Sequence, residues 1–324
     1  MEILIAVIGV VVAVLVAALI TFVFLALATK RIALDAERRV PRIGKMMEID
    51  GNRIHYIDEG EGQPILFIHG LGAQLHQFRQ PLFHRFPDGF RLIALDRPGS
   101  GYSRRARGTG GTLTEQAAAI RRFIETLKLE RPLLVGHSLG GAIALATAIL
   151  HPDSISGLAL LSPHTHTGGK VPPELEPLYI RSPFRRWLTA WTIAVPMARK
   201  YAAETLAFIF APQSAPDDYM TEGGGSLGLR PSHFYGTSTD FVDVRRDAGE
   251  LEKRYGEIVM PVGILFGTAD RVIDYQLHGL GMNGRIAGIE IELAEGVGHM
   301  PQYAEPEKVV DFIRRMAAKA AVSR

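Results

Sequence analysis

Cysteine is absent from all 324 residues. That absence rules out a disulfide framework and leaves no thiolate to complete a zinc site, a pattern consistent with a domain facing the cytosol. Tryptophan occurs only as Trp187 and Trp191. Internal repeats and long low-complexity segments are missing. The formal net charge is only +2. Nothing in it suggests nucleic-acid binding, because the net positive charge is confined to one short flank. The segment 30–45 carries a net +4, whereas residues 46–324 carry −1.

What is present begins with Gly136-His137-Ser138-Leu139-Gly140, a G-x-S-x-G pentapeptide. Residues 132–135 ahead of it read as a short buried strand, and residues 141–148 behind it read as a closely packed helix. A serine hydroxyl is a weak nucleophile at neutral pH, so it needs exposure on a tight turn and a base within reach. Strand, turn and helix in that order provide the exposure, and the flanking glycines suit a backbone where a Cβ would clash. The pentapeptide alone is also compatible with an ordinary glycine turn; its setting favours the nucleophile.

A triad on such an elbow continues downstream in the order Ser, acid, His. Residues 261–267 read as a buried strand, and Asp270 follows in a loop at the strand's C-terminal end, where open α/β sheets build their sites. Residues 289–293 alternate as a half-buried strand, and His299 sits on the glycine-rich loop after it. The chemistry asks Ser138 to attack, His299 to carry the proton, and Asp270 to fix the imidazole tautomer. An aspartate after a strand is more commonly a cap or a turn residue, with Asp274 as the competing cap. The order and the setting of the three residues together select Asp270 and His299.

Further segments then fall into register, and at this point the chain resembles the α/β-hydrolase family. Phe67-Ile68-His69-Gly70-Leu71-Gly72 is similar to the family's H-G loop, and Asp96-Arg97-Pro98-Gly99-Ser100-Gly101-Tyr102-Ser103 to its D-x-P-G-x-G-x-S loop. The resemblance runs from about Met46 to the C-terminus, apart from a middle insert. It implies an α/β fold with a mostly parallel sheet, helices on both faces and a helical cap. It also implies oxyanion donors at the backbone N–H groups of Leu139 and Leu71, with Gly72 as the alternative to Leu71. His69 and His137 lie in family motifs and read as loop-shaping residues; Asp96 reads as the organiser of its own loop. Relatives that cleave carbon–halogen bonds or epoxides carry aspartate at the elbow, so Ser138 implies an acyl-enzyme. No metal is expected: His164, His166 and Asp153 lack a ligand spacing. No cofactor is expected either.

Ile3 through Ala28 contains no charged residue. As a helix it would extend about 39 Å, enough to cross a hydrocarbon core of roughly 30 Å with tilt. A cleaved signal peptide is the alternative, with Ala26-Leu27-Ala28 as its site. The run exceeds the usual apolar length, and Lys and Arg are missing before it, which favours a retained single-pass helix. The basic flank places the catalytic domain on the cytoplasmic side and suits anionic headgroups.

The expected organisation is a transmembrane anchor at 1–30, a basic linker at 31–45, a hydrolase core at 46–162 and 255–324, and a cap insert at 163–254. Asp50-Gly51 predicts the turn of a hairpin over 45–59. Thr112 and Glu115 predict a capping box that opens an amphipathic helix. In the cap, Trp187 and Trp191 are candidate substrate contacts, Met197 to Phe210 a second apolar helix, and Gly223-Gly224-Gly225 a flexible break. The expected function is hydrolysis of apolar or lipid-like acyl esters. Carbon–carbon bond hydrolysis, cofactor-free peroxidase chemistry on the same triad, and a non-catalytic binding role are the alternatives. Oligomeric state is not legible.

Overall fold

The computed structural model describes residues 1–322. An eight-stranded sheet forms its centre, in the order β1-β2-β4-β3-β5-β6-β7-β8. Strands β1 (Lys45–Ile49) and β2 (Asn52–Glu59) make the expected hairpin, and Asp50 and Gly51 turn with φ of 47° and 77°. Positive φ at both central residues gives the twist that two-residue hairpins need. Antiparallel pairing ends where β2 meets β4 (Gly89–Leu95). From there β3 (Gly62–Ile68), β5 (Leu133–His137), β6 (Gly157–Leu161), β7 (Val262–Gly267) and β8 (Glu290–Ala294) are all parallel. The apolar runs of β5, β6 and β7 are buried on both faces, as a covered parallel sheet requires, whereas the edge strand β8 is buried only at Ala294.

Alternation along each strand divides the core in two. Leu66 and Ile68 of β3 point to one face and Ile65 and Phe67 to the other. The first face is covered by α3 (Leu113–Thr126) and α4 (Leu139–Leu150). The second is covered by α2 (His76–Leu82) and by the last helix, Pro306–Val322. Thr112 and Glu115 form the reciprocal cap of α3, which satisfies N–H groups that a helix start leaves free.

The N-terminal helix α1 (Glu2–Arg39) corrects the expected linker, since its helix continues through most of 31–45. The reason is tertiary packing. Thr29, Ala36 and Val40 are buried, and Phe22, Leu25, Ala26, Ile32 and Ala33 are half-buried, forming one helical stripe against the cap. The helix stops at Val40, which is extended (φ −125°, ψ 81°), because the following Pro41 disfavours the helical region before it.

The cap lies between β6 and β7. Helix α5 (Pro183–Thr189) runs through a π-helical turn, Ala190–Ala194, into α6 (Val195–Lys200). The single helix expected over 197–210 is instead broken at Tyr201, and α7 (Ala202–Phe210) follows. Gly223–Gly225 is a fitted turn, not a flexible break: Gln74 Nε2 donates to Gly223 O at 2.7 Å, and Gly224 has φ of 75° beside that side chain. Helix α8 (Pro231–Asp243) closes the cap onto the core through a buried ion pair. Arg97 Nη1 meets Asp240 Oδ2 at 2.6 Å, both side chains are at most 1% exposed, and Arg105 takes the other carboxylate oxygen. Burial alone would raise the Asp240 pKa, but Arg105 and Arg97 together hold it below the ordinary value.

Removing one member of such a pair strands the other charge away from water. Asp240→Ala is therefore expected to lower unfolding free energy by about 3–5 kcal/mol. The denaturant midpoint of the detergent-solubilised protein measures it.

Candidate active site

The site is assembled at the C-terminal ends of β3, β5, β7 and β8. Ser138 occupies the turn between β5 and α4 with φ of 53° and ψ of −119°, a conformation that costs energy in an L-residue. The surrounding contacts hold it there. Ser138 N donates to Leu161 O at 3.1 Å, and its own carbonyl accepts from Gly141 N at 2.9 Å and His164 N at 3.0 Å. A Cβ on Gly136 would lie 2.5 Å from Gly140 O, and one on Gly140 would collide with the Ile68 carbonyl. Strand and helix approach this closely only because both positions are glycine.

Asp270 follows β7, and its side chain is fully buried. Its Oδ1 accepts from Val272 N at 2.8 Å and Ile273 N at 3.0 Å, which fixes the carboxylate plane. Its Oδ2 accepts from His299 Nδ1 at 2.7 Å. That bond puts the imidazole proton on Nδ1 and leaves Nε2 as the basic nitrogen. Asp274, the competing acid, caps the short helix Tyr275–His278 by accepting from Gln276 N at 2.9 Å. Ser138 and His299 line the same cavity. Ser138 Oγ makes no direct hydrogen bond to the His299 ring among the described residues.

The H-G loop borders the serine closely: a Cβ on Gly70 would lie 3.1 Å from Ser138 Cβ. The next two residues, Leu71 and Gly72, line the cavity, as does Leu139 at the start of α4. None of these three N–H groups donates within the protein among the described residues, so all three remain available. Both candidates for the second donor thus stay in place.

A hydrogen-bond chain beneath the site was not legible in the sequence. Gly70 N donates to Gln77 Oε1 at 3.3 Å, and Gln77 Nε2 donates to His137 Nδ1 at 2.6 Å. His137 Nε2 in turn donates to the His299 carbonyl at 2.8 Å. The His137 and His299 rings lie 4.7 Å apart. Burial, aided by the positive charge that His299 acquires on protonation, pushes the His137 pKa well below its usual value. His137 is therefore neutral, and its Nδ1 stays an acceptor. The chain joins the H-G loop, the elbow and the histidine loop through α2. Gln77 belongs to no short motif, so only the assembled fold reveals it.

The remaining motif residues are structural. His69 Nδ1 donates to Gly70 O at 2.8 Å, and its Nε2 accepts from Arg97 N at 2.9 Å; burial lowers its pKa to about 3. Asp96 accepts from Leu75 N and Tyr102 N, both at 2.8 Å, and from His55 Nδ1 at 2.7 Å. It fixes its own loop and the start of α2. His164 and His166 flank the His278 ring, at 4.8 and 5.9 Å between centroids, and Asp153 lies apart on a 3-10 turn after α4. No group of three metal-ligating side chains occurs among the described residues.

The cavity over Ser138 encloses about 1050 Å³ between the sheet ends and the cap. Phe208, Ile209, Tyr219, Phe241, Leu175 and Met300 supply its apolar wall. Trp187 and Trp191 are absent from that wall, which corrects their expected role as substrate contacts. Trp187 lies on the outer side of the cap, 5.9 Å from the Phe22 ring of α1 and 6.2 Å from Phe184. The π-helical turn and Pro196 set the direction of this segment, and the α1 stripe draws the indole outward.

Comparison with known proteins agrees with this architecture. A 2-hydroxy-6-oxononadienedioate/2-hydroxy-6-oxononatrienedioate hydrolase of Paraburkholderia xenovorans (strain LB400) is 25% identical over 300 residues, covering 88% of this chain and 99% of that protein. The dihydrolipoyllysine-residue acetyltransferase component of an acetoin cleaving system from Cupriavidus necator is 38% identical over 119 residues. That match spans 36% of this chain and only 31% of the relative. Among solved structures, a bacterial membrane phospholipase A superposes with a TM-score of 0.69 at 22% identity, over 99% of both chains. The family model for the alpha/beta hydrolase fold matches residues 63–306, well over half of the sequence. The chain belongs to the alpha/beta hydrolase fold family.

Proposed function

We propose that this protein is a membrane-anchored serine hydrolase that cleaves carboxylic esters of apolar, lipid-like acyl groups. The observation that carries this reading is the strained Ser138 elbow sharing one cavity with a His299–Asp270 pair bonded at 2.7 Å. Ser138 Oγ attacks the ester carbonyl while His299 Nε2 takes its proton. The N–H groups of Leu139 and Leu71 receive the oxyanion. The carbon–oxygen bond to the alcohol then breaks, and His299 returns the proton to the leaving oxygen. Water, deprotonated by the same imidazole, releases the acid. Asp270 holds the tautomer and stabilises the imidazolium throughout. The chemistry needs no cofactor.

The apolar cavity wall supports an acyl substrate, and the structural similarity to a membrane phospholipase A agrees with a lipid ester. Helix α1 supplies the anchor. Its N-terminal part contains an uncharged window in which no side chain is buried against the rest of the molecule. The Lys30, Arg31, Arg38 and Arg39 flank supports a cytoplasmic position for the catalytic domain. Carbon–carbon bond hydrolysis is the second reading, favoured by the full-length similarity to the oxononadienedioate hydrolase. A panel of nitrophenyl esters, lipids and 1,5-diones separates the two.

A fluorophosphonate probe is expected to label the wild type and to fail on Ser138→Ala. Ester turnover should fall by several orders of magnitude. Labelling that persists in the variant removes Ser138 from the role, and an unlabelled wild type returns the protein to a binding function. Asp270→Asn should fold normally yet lose on the order of 10⁴-fold in kcat, because the tautomer is no longer fixed.

Gln77→Leu leaves the Gly70 N–H and His137 Nδ1 without their partners. A loss of about 1–3 kcal/mol in positioning corresponds to a fall in kcat of roughly five- to 150-fold, with KM little changed. Steady-state kinetics on a soluble ester reads the split. Equal changes in both constants would indicate general loosening.

Fractionation tests the anchor. Full-length protein should stay in the membrane pellet through high salt and carbonate and leave it only with detergent. Release by carbonate would reduce α1 to a peripheral element.

A further inference from the structure

The length of α1 available to cross a bilayer is not free of the catalytic domain. Its apolar run ends at Lys30, yet contact with the cap begins eight residues earlier, where Phe22 meets Trp187 at 5.9 Å. Thr29 is completely buried there, with its hydroxyl directed at the Thr192 carbonyl. From Phe22 to Lys30 the helix rises about 12 Å. Over that rise one face of α1 packs on the cap while the opposite face shows Val23, Phe24 and Leu27, which are 45%, 70% and 54% exposed. A bilayer that covers the free face of this stretch must also reach the cap surface at the same height.

That cap surface has the composition of a lipid contact. Along α5, the π-helical turn and α6, Phe184 is 67% exposed and Ile193 54%, with Trp187, Leu188 and Met197 also exposed. No acidic residue occurs between Tyr179 and Glu204, whereas Arg181, Arg185, Arg199 and Lys200 are all exposed there. Large apolar side chains ringed by cations, with indole and phenol groups among them, match the acyl–headgroup boundary of an anionic leaflet. A protein partner is less well suited, since the patch is continuous with the stretch of α1 whose free face, from Ile3 to Leu27, is apolar.

We propose that the α5–α6 face of the cap inserts into the same leaflet that α1 leaves, so that the hydrolase is held at two adjoining points. This rests on the anchor assigned above, and it names the source of substrate. The inserted face continues directly into α7, whose Phe208 and Ile209 form part of the cavity wall. An acyl chain thus reaches Ser138 from the leaflet along α7 without crossing water. Confinement to the surface raises its effective concentration.

Both tryptophans of the protein belong to this cap segment, which makes the test independent of catalysis. Full-length protein is reconstituted into vesicles of anionic and zwitterionic lipid, with and without acyl chains brominated near the headgroup end. Tryptophan emission is expected to lose more than half its intensity in brominated vesicles. A double variant, Phe184→Glu with Ile193→Glu, should lower turnover of vesicle lipid at least tenfold and leave a soluble nitrophenyl ester in detergent unchanged. Emission indifferent to bromination overturns the insertion, while carbonate resistance would still leave the anchor standing. Unquenched emission together with a dimer photo-cross-linked by a benzophenone side chain placed at position 184 would replace the bilayer with a second copy of the chain and likewise overturn it. Quenching with neither substrate turned over would refute the esterase reading and not this one.

Discussion

Helix α4 starts so close to β3 and β5 that Gly136 and Gly140 admit no Cβ, and the other features of the site follow from this approach. It forces Ser138 into a left-handed conformation at the end of β5. The hydroxyl then lies above the sheet, and the first N–H of α4 is left without an internal acceptor, as every helix start is. The same crowding brings Gly70 against Ser138 Cβ, so the H-G loop supplies its own free N–H groups alongside. The positions of the candidate nucleophile and of the candidate oxyanion donors are thus one geometric consequence of close strand–helix packing.

Around that point the loops are fixed by polar groups that are buried or partly buried. Asp270 is held by two backbone N–H bonds before it meets His299. Gln77 and His137 tie the histidine loop to the H-G loop. Gln213 reaches from the cap to the same loop, donating to Gly296 O and accepting from Gly298 N at 2.9 Å each. The buried bonds of Gln77 and His137 are costly to leave half-made, so each constrains its neighbour. Preorganised geometry of this sort is what stabilisation of a developing charge requires.

The parts of this arrangement legible in the sequence are those governed by local rules. The Asp50-Gly51 turn, the Thr112–Glu115 cap and the alternating or apolar strands each depend on a few adjacent residues. The positions of Ser138, Asp270 and His299 each follow a strand end, so chain order alone brought them together. Residues joined only in three dimensions left no such trace. Gln77 lies on an ordinary amphipathic turn, and Arg97 reads as one more loop cation until Asp240, 143 positions away, is placed beside it. The helical course of residues 31–39 and the outward side of Trp187 are hidden from the sequence for a related reason. The stripe that keeps α1 helical to Arg39 looks like unremarkable alanine-rich sequence without the cap that covers it. Likewise, large aromatic residues in an insert carry no sign of which side they face.

The continuity of α1 has a mechanical meaning. The helix is unbroken from Glu2 to Arg39, and Glu37 is salt-bridged at 2.8 Å to Arg230, immediately before α8. Arg230 also bonds the Gly101 carbonyl, and α8 carries the Asp240 that grips Arg97. Arg97 in turn donates to the carbonyls of His69 and Gly70 at 3.0 Å. Under the proposed anchoring the catalytic domain is not suspended on a flexible leash; it is the head of a rigid shaft. One residue added between the cap-bound stripe and the free end would turn that end through about 100° and advance it about 1.5 Å. Helix phase and length thus set the bearing and height of the cavity mouth above the lipid, as a key's shank sets the position of its bit.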